Sequence, residues 1–108
     1  MIDISVHQIA QVILMSRELD RAEGELRAFI ERLSEDEQVS LVAVMWIGRD
    51  SFAAEELEEA KATAREEATT PTADYLLGTP HLSDHLENGL EELGLSAVYE
   101  EDDLVRGG

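Results

Sequence analysis

Nine consecutive residues, Val39 to Ile47, carry a single polar side chain, Ser40. A stretch like this has no wet face, so it must be surrounded by the rest of the chain or by a partner. Its three valines would suit a buried strand, but the flanking residues decide for a helix. Ser34-Glu35-Asp36-Glu37 has the form of a capping box, with Ser at N-cap, Glu at N3 and three acids where the helix dipole favours them. Gly48 stands where a left-handed C′ residue is wanted. No second strand-like run exists to pair with this one. The run therefore predicts a buried central helix over residues 35–47.

The other elements follow helical spacing. Ser5-Val6-His7-Gln8 is a second capping box, with Ile4 and Ile9 at the staple positions. Ile9, Val12, Ile13 and Leu19 continue its stripe, and the polar turn at residues 17–21 with Gly24 predicts a break within 20–24. Leu26, Phe29, Ile30 and Leu33 mark a helix over about 22–33. Leu57, Ala60, Ala64 and Ala68 form the thin stripe of a helix over about 53–68. Thr69-Thr70-Pro71-Thr72 reads as a linker, followed by a short helix to Leu77 stopped by Gly78. Thr79 and Pro80 are helix-start residues, predicting a last helix over about 80–93 with Leu82, Leu86, Leu90 and Leu93 inward and Gly94 as its stop. Gly89 lies on the apolar side of that helix, where it implies close approach of another helix. The expected fold is all-α: a compact bundle of about five short helices forming one domain over residues 1–96. An acidic, frayed tail is expected over 97–108.

Charge narrows the partners. The chain holds 25 acidic and 8 basic residues, a formal net charge of -17. Phosphate contacts need clustered Lys and Arg, so direct nucleic-acid binding is disfavoured, as is docking on anionic membranes. Residues 66–108 carry 11 of the acids and a single base, Arg106. No basic n-region with a following apolar run opens the chain, and the longest apolar run is under half a membrane span. A cytoplasmic protein is expected. With no Cys, thiolate metal sites and cysteine nucleophiles are excluded.

Several strings resemble a known family. They are Leu41-Val42-Ala43-Val44-Met45-Trp46-Ile47-Gly48-Arg49, then Ala60 and Ala64 in an acidic helix. Ala73-Asp74-Tyr75-Leu76-Leu77-Gly78-Thr79-Pro80 follows, and then Leu82, Leu86, Gly89 and Leu90. Together they resemble the bacterial family called domain of unknown function 3775, over roughly residues 5 to 95. The family pattern carries Gly after the Arg, where this chain has Asp50. The resemblance implies a short helical domain of bacterial origin and brings no activity with it.

Three constellations are candidates for chemistry. His81 and His85, at i and i+4 with Asp84 beside them, have spacing that a divalent metal could use on one helix face, given a further ligand. Half-buried packing of His85 beside the leucine stripe explains the same residues without a metal. Arg49, after the apolar run, could hold an anion, cap carbonyls or pair with Asp50 or Asp74. Asp74 and Tyr75 could face a partner, as could Trp46. Glu55-x-x-Glu58, Glu56-x-x-Glu59 and Asp84-x-x-Glu87 have the spacing of magnesium-binding carboxylates in all-α pyrophosphatases, and also that of a solvated helix face. No nucleophile elbow, phosphate loop or dinucleotide fingerprint occurs.

The functional expectation is a non-enzymatic protein–protein interaction or regulatory module, self-associating as a homodimer so that a second copy covers the apolar helix. No cofactor is expected. The alternatives are a metal-binding protein or metal-dependent hydrolase using His81, Asp84 and His85, and an acidic nucleic-acid mimic.

Overall fold

The computed structural model describes residues 2–95, and the expected acidic tail lies outside them. Among the described residues there are six α-helices and no strand. They are α1 (Val6–Arg17), α2 (Leu19–Arg32), α3 (Glu35–Gly48), α4 (Leu57–Glu66), α5 (Thr72–Leu77) and α6 (Leu82–Glu92), with a 3₁₀ turn, Ala54–Glu56, leading into α4.

The central helix forms as its flanks predict. The Ser34 hydroxyl accepts from the Glu37 N–H at 3.1 Å, and the Glu37 carboxylate accepts from the Ser34 N–H at 2.8 Å. Every residue from Val39 to Gly48 is buried. α4, α5 and α6 pack around α3, so this one chain covers the apolar run. The geometry removes the reason for expecting a second copy over that helix.

Four boundaries differ from the sequence expectation. The break between the first two helices falls at Glu18 rather than within 20–24. There the Ser16 hydroxyl donates back to the Ile13 carbonyl at 2.9 Å, a local bond that competes with helix continuation. Gly24 lies inside α2 on its exposed side.

Gly48 is not a left-handed stop but the last residue of α3. The stop comes two residues later. Asp50 takes φ 66°, its N–H bonds the Ile47 carbonyl, and the Ser51 N–H bonds the Trp46 carbonyl. This is a Schellman motif with Asp at C′, a residue type that tolerates the left-handed region. At the end of α6 the expected glycine does serve: Gly94 has φ 77°, with the matching bonds to Glu91 and Leu90.

The last helix begins at Leu82, two residues late. Thr79 does not cap it. Its hydroxyl donates to the Tyr75 carbonyl at 2.8 Å, closing α5 instead. The helix expected over 53–68 divides into the 3₁₀ turn and a shorter α4.

The core is one cluster running from Ile4 through α3 to Leu90. Few bases are present, and several tie elements together. Arg17 pairs with Glu87 at 2.7 Å, joining α1 to α6, and Arg65 pairs with Asp36 at 2.5 Å, joining α4 to α3. Lys61, largely buried, reaches Asp3 and Glu58, each at 3.3 Å. Among the described residues no helix is long and apolar enough to cross a membrane.

Candidate functional site

The residues singled out from sequence do not gather in one place. Trp46 and Tyr75 do meet. The Trp46 indole N–H donates to the Tyr75 hydroxyl at 2.8 Å, joining α3 to α5. Trp46 reaches this position because it lies in the last turn of α3, on the side that α5 covers. Phe52, in the loop after the Schellman turn, stacks on the Trp46 ring with centroids 5.7 Å apart and planes 24° apart.

The chain between α4 and α5 borders Trp46 and Tyr75. Between them lies a cavity of about 190 Å³. Val42 and Ala64 line its apolar part, and Trp46 and Tyr75 its aromatic part. Glu67, Thr69, Thr70 and Thr72 contribute to the rim, and among the described residues no basic one belongs to the lining. Sequence reading found the two aromatics separately. Residues 69–72 have the composition of a linker, and Glu67 and Phe52 carry no local signal, because nothing in the sequence links positions 46, 67 and 75.

Asp74 and Arg49 stand apart from this site and from each other. Asp74 pairs with Arg27 of α2, and that hydrogen bond raises the guanidinium pKa further above its ordinary value. The Arg49 backbone N–H caps the Met45 carbonyl at 3.0 Å, and its side chain donates to the Ser51 hydroxyl at 3.2 Å. The Arg49 side chain thus reaches the Ser51 hydroxyl rather than the helix carbonyls that one sequence reading gave it, and its partner is neither Asp50 nor Asp74.

His81 lies outside α6. It is the N-cap residue, in the left-handed region at φ 59°, with no side-chain capping bond. The shared helix face expected for His81 and His85 therefore does not form. Their rings meet edge to face with centroids 6.5 Å apart, and His81 Nδ1 is 4.0 Å from the Asp84 carboxylate. Among the described residues no three His, Asp or Glu side chains converge as a metal-ligand set. A second cavity, about 290 Å³, lies between His81, Pro80 and the leucines Leu19, Leu26, Leu76 and Leu82. Among the described residues no carboxylate lines it.

A family described as Protein of unknown function (DUF3775) matches residues 23–95. The chain belongs to this family. The matched region runs from within α2 to the end of α6 and includes the whole Trp46–Tyr75 cavity. It starts later than the resemblance read from residue 5, so α1 lies outside it. No curated protein and no solved structure matches the chain. The DUF3775 strings now have structural meaning. The W-I-G-R segment supplies Trp46 and the Gly48 contact with α6, and the A-D-Y segment supplies Tyr75.

Proposed function

We propose that this DUF3775 protein is a protein–protein interaction module rather than an enzyme, and that the Trp46–Tyr75 cavity is its contact point. The observation that carries this reading is the cavity's size and lining. Small-molecule sites usually occupy about 300–1,000 Å³. A space of about 190 Å³ between two rings suits one side chain of a protein partner. Tyr and Trp are also the residue types on which interface energy concentrates.

The partner in this proposal is a different protein rather than a second copy. α3 is covered within the chain, and Leu14 is the one large apolar residue exposed among those described. A single exposed leucine is ordinary for a monomer. A cytoplasmic setting belongs to the same proposal. Affinity capture on the wild-type chain and on Tyr75→Ala, compared quantitatively, tests the reading. A partner should be retained by the first and lost from the second, with circular dichroism confirming that the variant is folded. Partners held equally by both would overturn it. Light scattering should read a monomer, and a dimer at every concentration would remove the choice of a different protein.

The alternative reading, divalent-metal binding through His81, Asp84 and His85, would need these side chains to move together and a further ligand, because the His81 and His85 rings lie 6.5 Å apart and the three do not converge as a set. Metal analysis of untagged protein, with melting temperatures in zinc, manganese and magnesium, decides it. No bound metal and no shift would dismiss this reading.

A further inference from the structure

We infer that the Trp46–Tyr75 cavity takes the guanidinium of an arginine from a basic segment of the partner. This deepens the function proposed above and rests on it. Three observations support it.

The first is charge. Among the described residues the lining contributes one carboxylate, Glu67, and no base, in a chain of net charge -17. A cation entering here meets attraction locally and from the molecule as a whole.

The second is the pair of rings. Aromatic faces attract cations, and a guanidinium can also stack flat against them. Trp46 is held on one side by Phe52 and through its N–H by Tyr75. The site is therefore formed before a ligand arrives, which lowers the ordering cost of binding.

The third is the match of donors to acceptors. A guanidinium has five N–H donors and no acceptor. The rim offers the Glu67 carboxylate and the oxygen-bearing residues Thr69, Thr70 and Thr72. The Tyr75 hydroxyl accepts from Trp46 and keeps its own proton for an acceptor such as a carbonyl on the peptide that carries the arginine.

The test uses the full chain and its one tryptophan, whose indole N–H gives a single NMR resonance. The probes are N-acetyl-arginine methylamide, its neutral citrulline counterpart and the lysine counterpart. The arginine probe should shift the Trp46 resonance saturably. Citrulline and lysine should bind at least about fivefold more weakly. Glu67→Gln should weaken arginine binding about five- to tenfold. Glu91→Gln, which removes an exposed acid outside the lining, should change it less than about twofold.

Equal loss in Glu67→Gln and Glu91→Gln would mean diffuse attraction and overturn the inference. So would lysine or citrulline binding as tightly as arginine. Equal binding of citrulline overturns the guanidinium but leaves the cavity as the contact point. If no probe moves the resonance, the inference falls, and the capture experiment with Tyr75→Ala then judges the underlying reading separately.

Discussion

Gly48 and Gly89 face each other where α3 crosses α6. A Cβ on Gly48 would lie 2.7 Å from the Gly89 amide nitrogen and would overlap the His85 carbonyl oxygen. A Cβ on Gly89 would overlap the Val44 carbonyl oxygen and stand 2.8 Å from Val44 Cγ1. Each glycine lets the other helix's backbone come close. In both cases the obstacle is backbone, which cannot turn aside as a flexible side chain can. Gly48→Ala and Gly89→Ala should each destabilise by about 3 kcal/mol or more, through forced separation of two packed helices. Urea unfolding checks this, and an unchanged midpoint in either variant would contradict the crossing.

Gly24 supplies the opposite case. It lies within α2, and a Cβ there would meet nothing within 4 Å. The glycine leaves a helix interior without a side chain and gains no close contact in return. Gly24→Ala should stabilise the protein by about 0.5–1 kcal/mol, from helix propensity and a less flexible unfolded chain. A raised melting temperature is the expected reading, and a lowered one would imply an unrecognised role for that face of α2.

These glycines also show what the sequence could convey. Periodicity and capping boxes placed α1, α3 and the interior of α6, because those signals act within a few residues. Gly89 as a close-approach residue was readable from its place on the leucine stripe. Gly48 has the sequence context of a stop but is the last residue of α3. It precedes a chain reversal, but its reason for being glycine is the His85 carbonyl on another helix. Asp50 then took the left-handed position. The same limit applies to the candidate site. Trp46 and Tyr75 were noticeable as isolated aromatics, whereas the Glu67 rim and the Phe52 support depend on how α4, its loop and α5 return to α3.

Ser40 is the polar exception in the central run, and the structure gives its reason. It is fully buried, its hydroxyl accepts from the Asp3 N–H at 2.8 Å, and it lies 3.3 Å from the Asp3 carboxylate as donor. It fastens the segment before α1 onto α3. Ser40→Ala removes the acceptor for that N–H and should cost about 1–2 kcal/mol. Amide hydrogen exchange should quicken at Asp3 more than at Leu41. Equal protection in variant and wild type would count against this fastening.

The cap of α3 gives stability a pH dependence. The Glu37 carboxyl is held below its ordinary value of 4.5, first by the Ser34 N–H and then by the Gln8 side chain. A carboxyl with a lowered folded value stabilises fully above its unfolded value and loses that contribution as pH falls through the folded one. The cap should therefore weaken only below about pH 4.5. Glu37→Gln can still accept from the Ser34 N–H but does not titrate. Its stability should fall less steeply than that of the wild type between about pH 5 and pH 3. Parallel curves for the two proteins would show that Glu37 contributes nothing to acid sensitivity.

The Trp46–Tyr75 bond joins fold and proposed function, so its removal should register in both. Tyr75→Phe keeps the ring and deletes the hydroxyl that the indole N–H meets at 2.8 Å. Trp46 is 8% exposed, so that N–H has little water to turn to. The lost hydrogen bond should cost about 1 kcal/mol of stability. The indole N–H resonance should move upfield and its exchange with solvent should change, while the Phe52 stacking remains. In the capture experiment Tyr75→Phe should weaken partner binding less than Tyr75→Ala, because it retains the aromatic wall and loses only the polar contact. An unmoved indole resonance would show that the two side chains are not bonded in solution, and the preformed cavity would then lose its support.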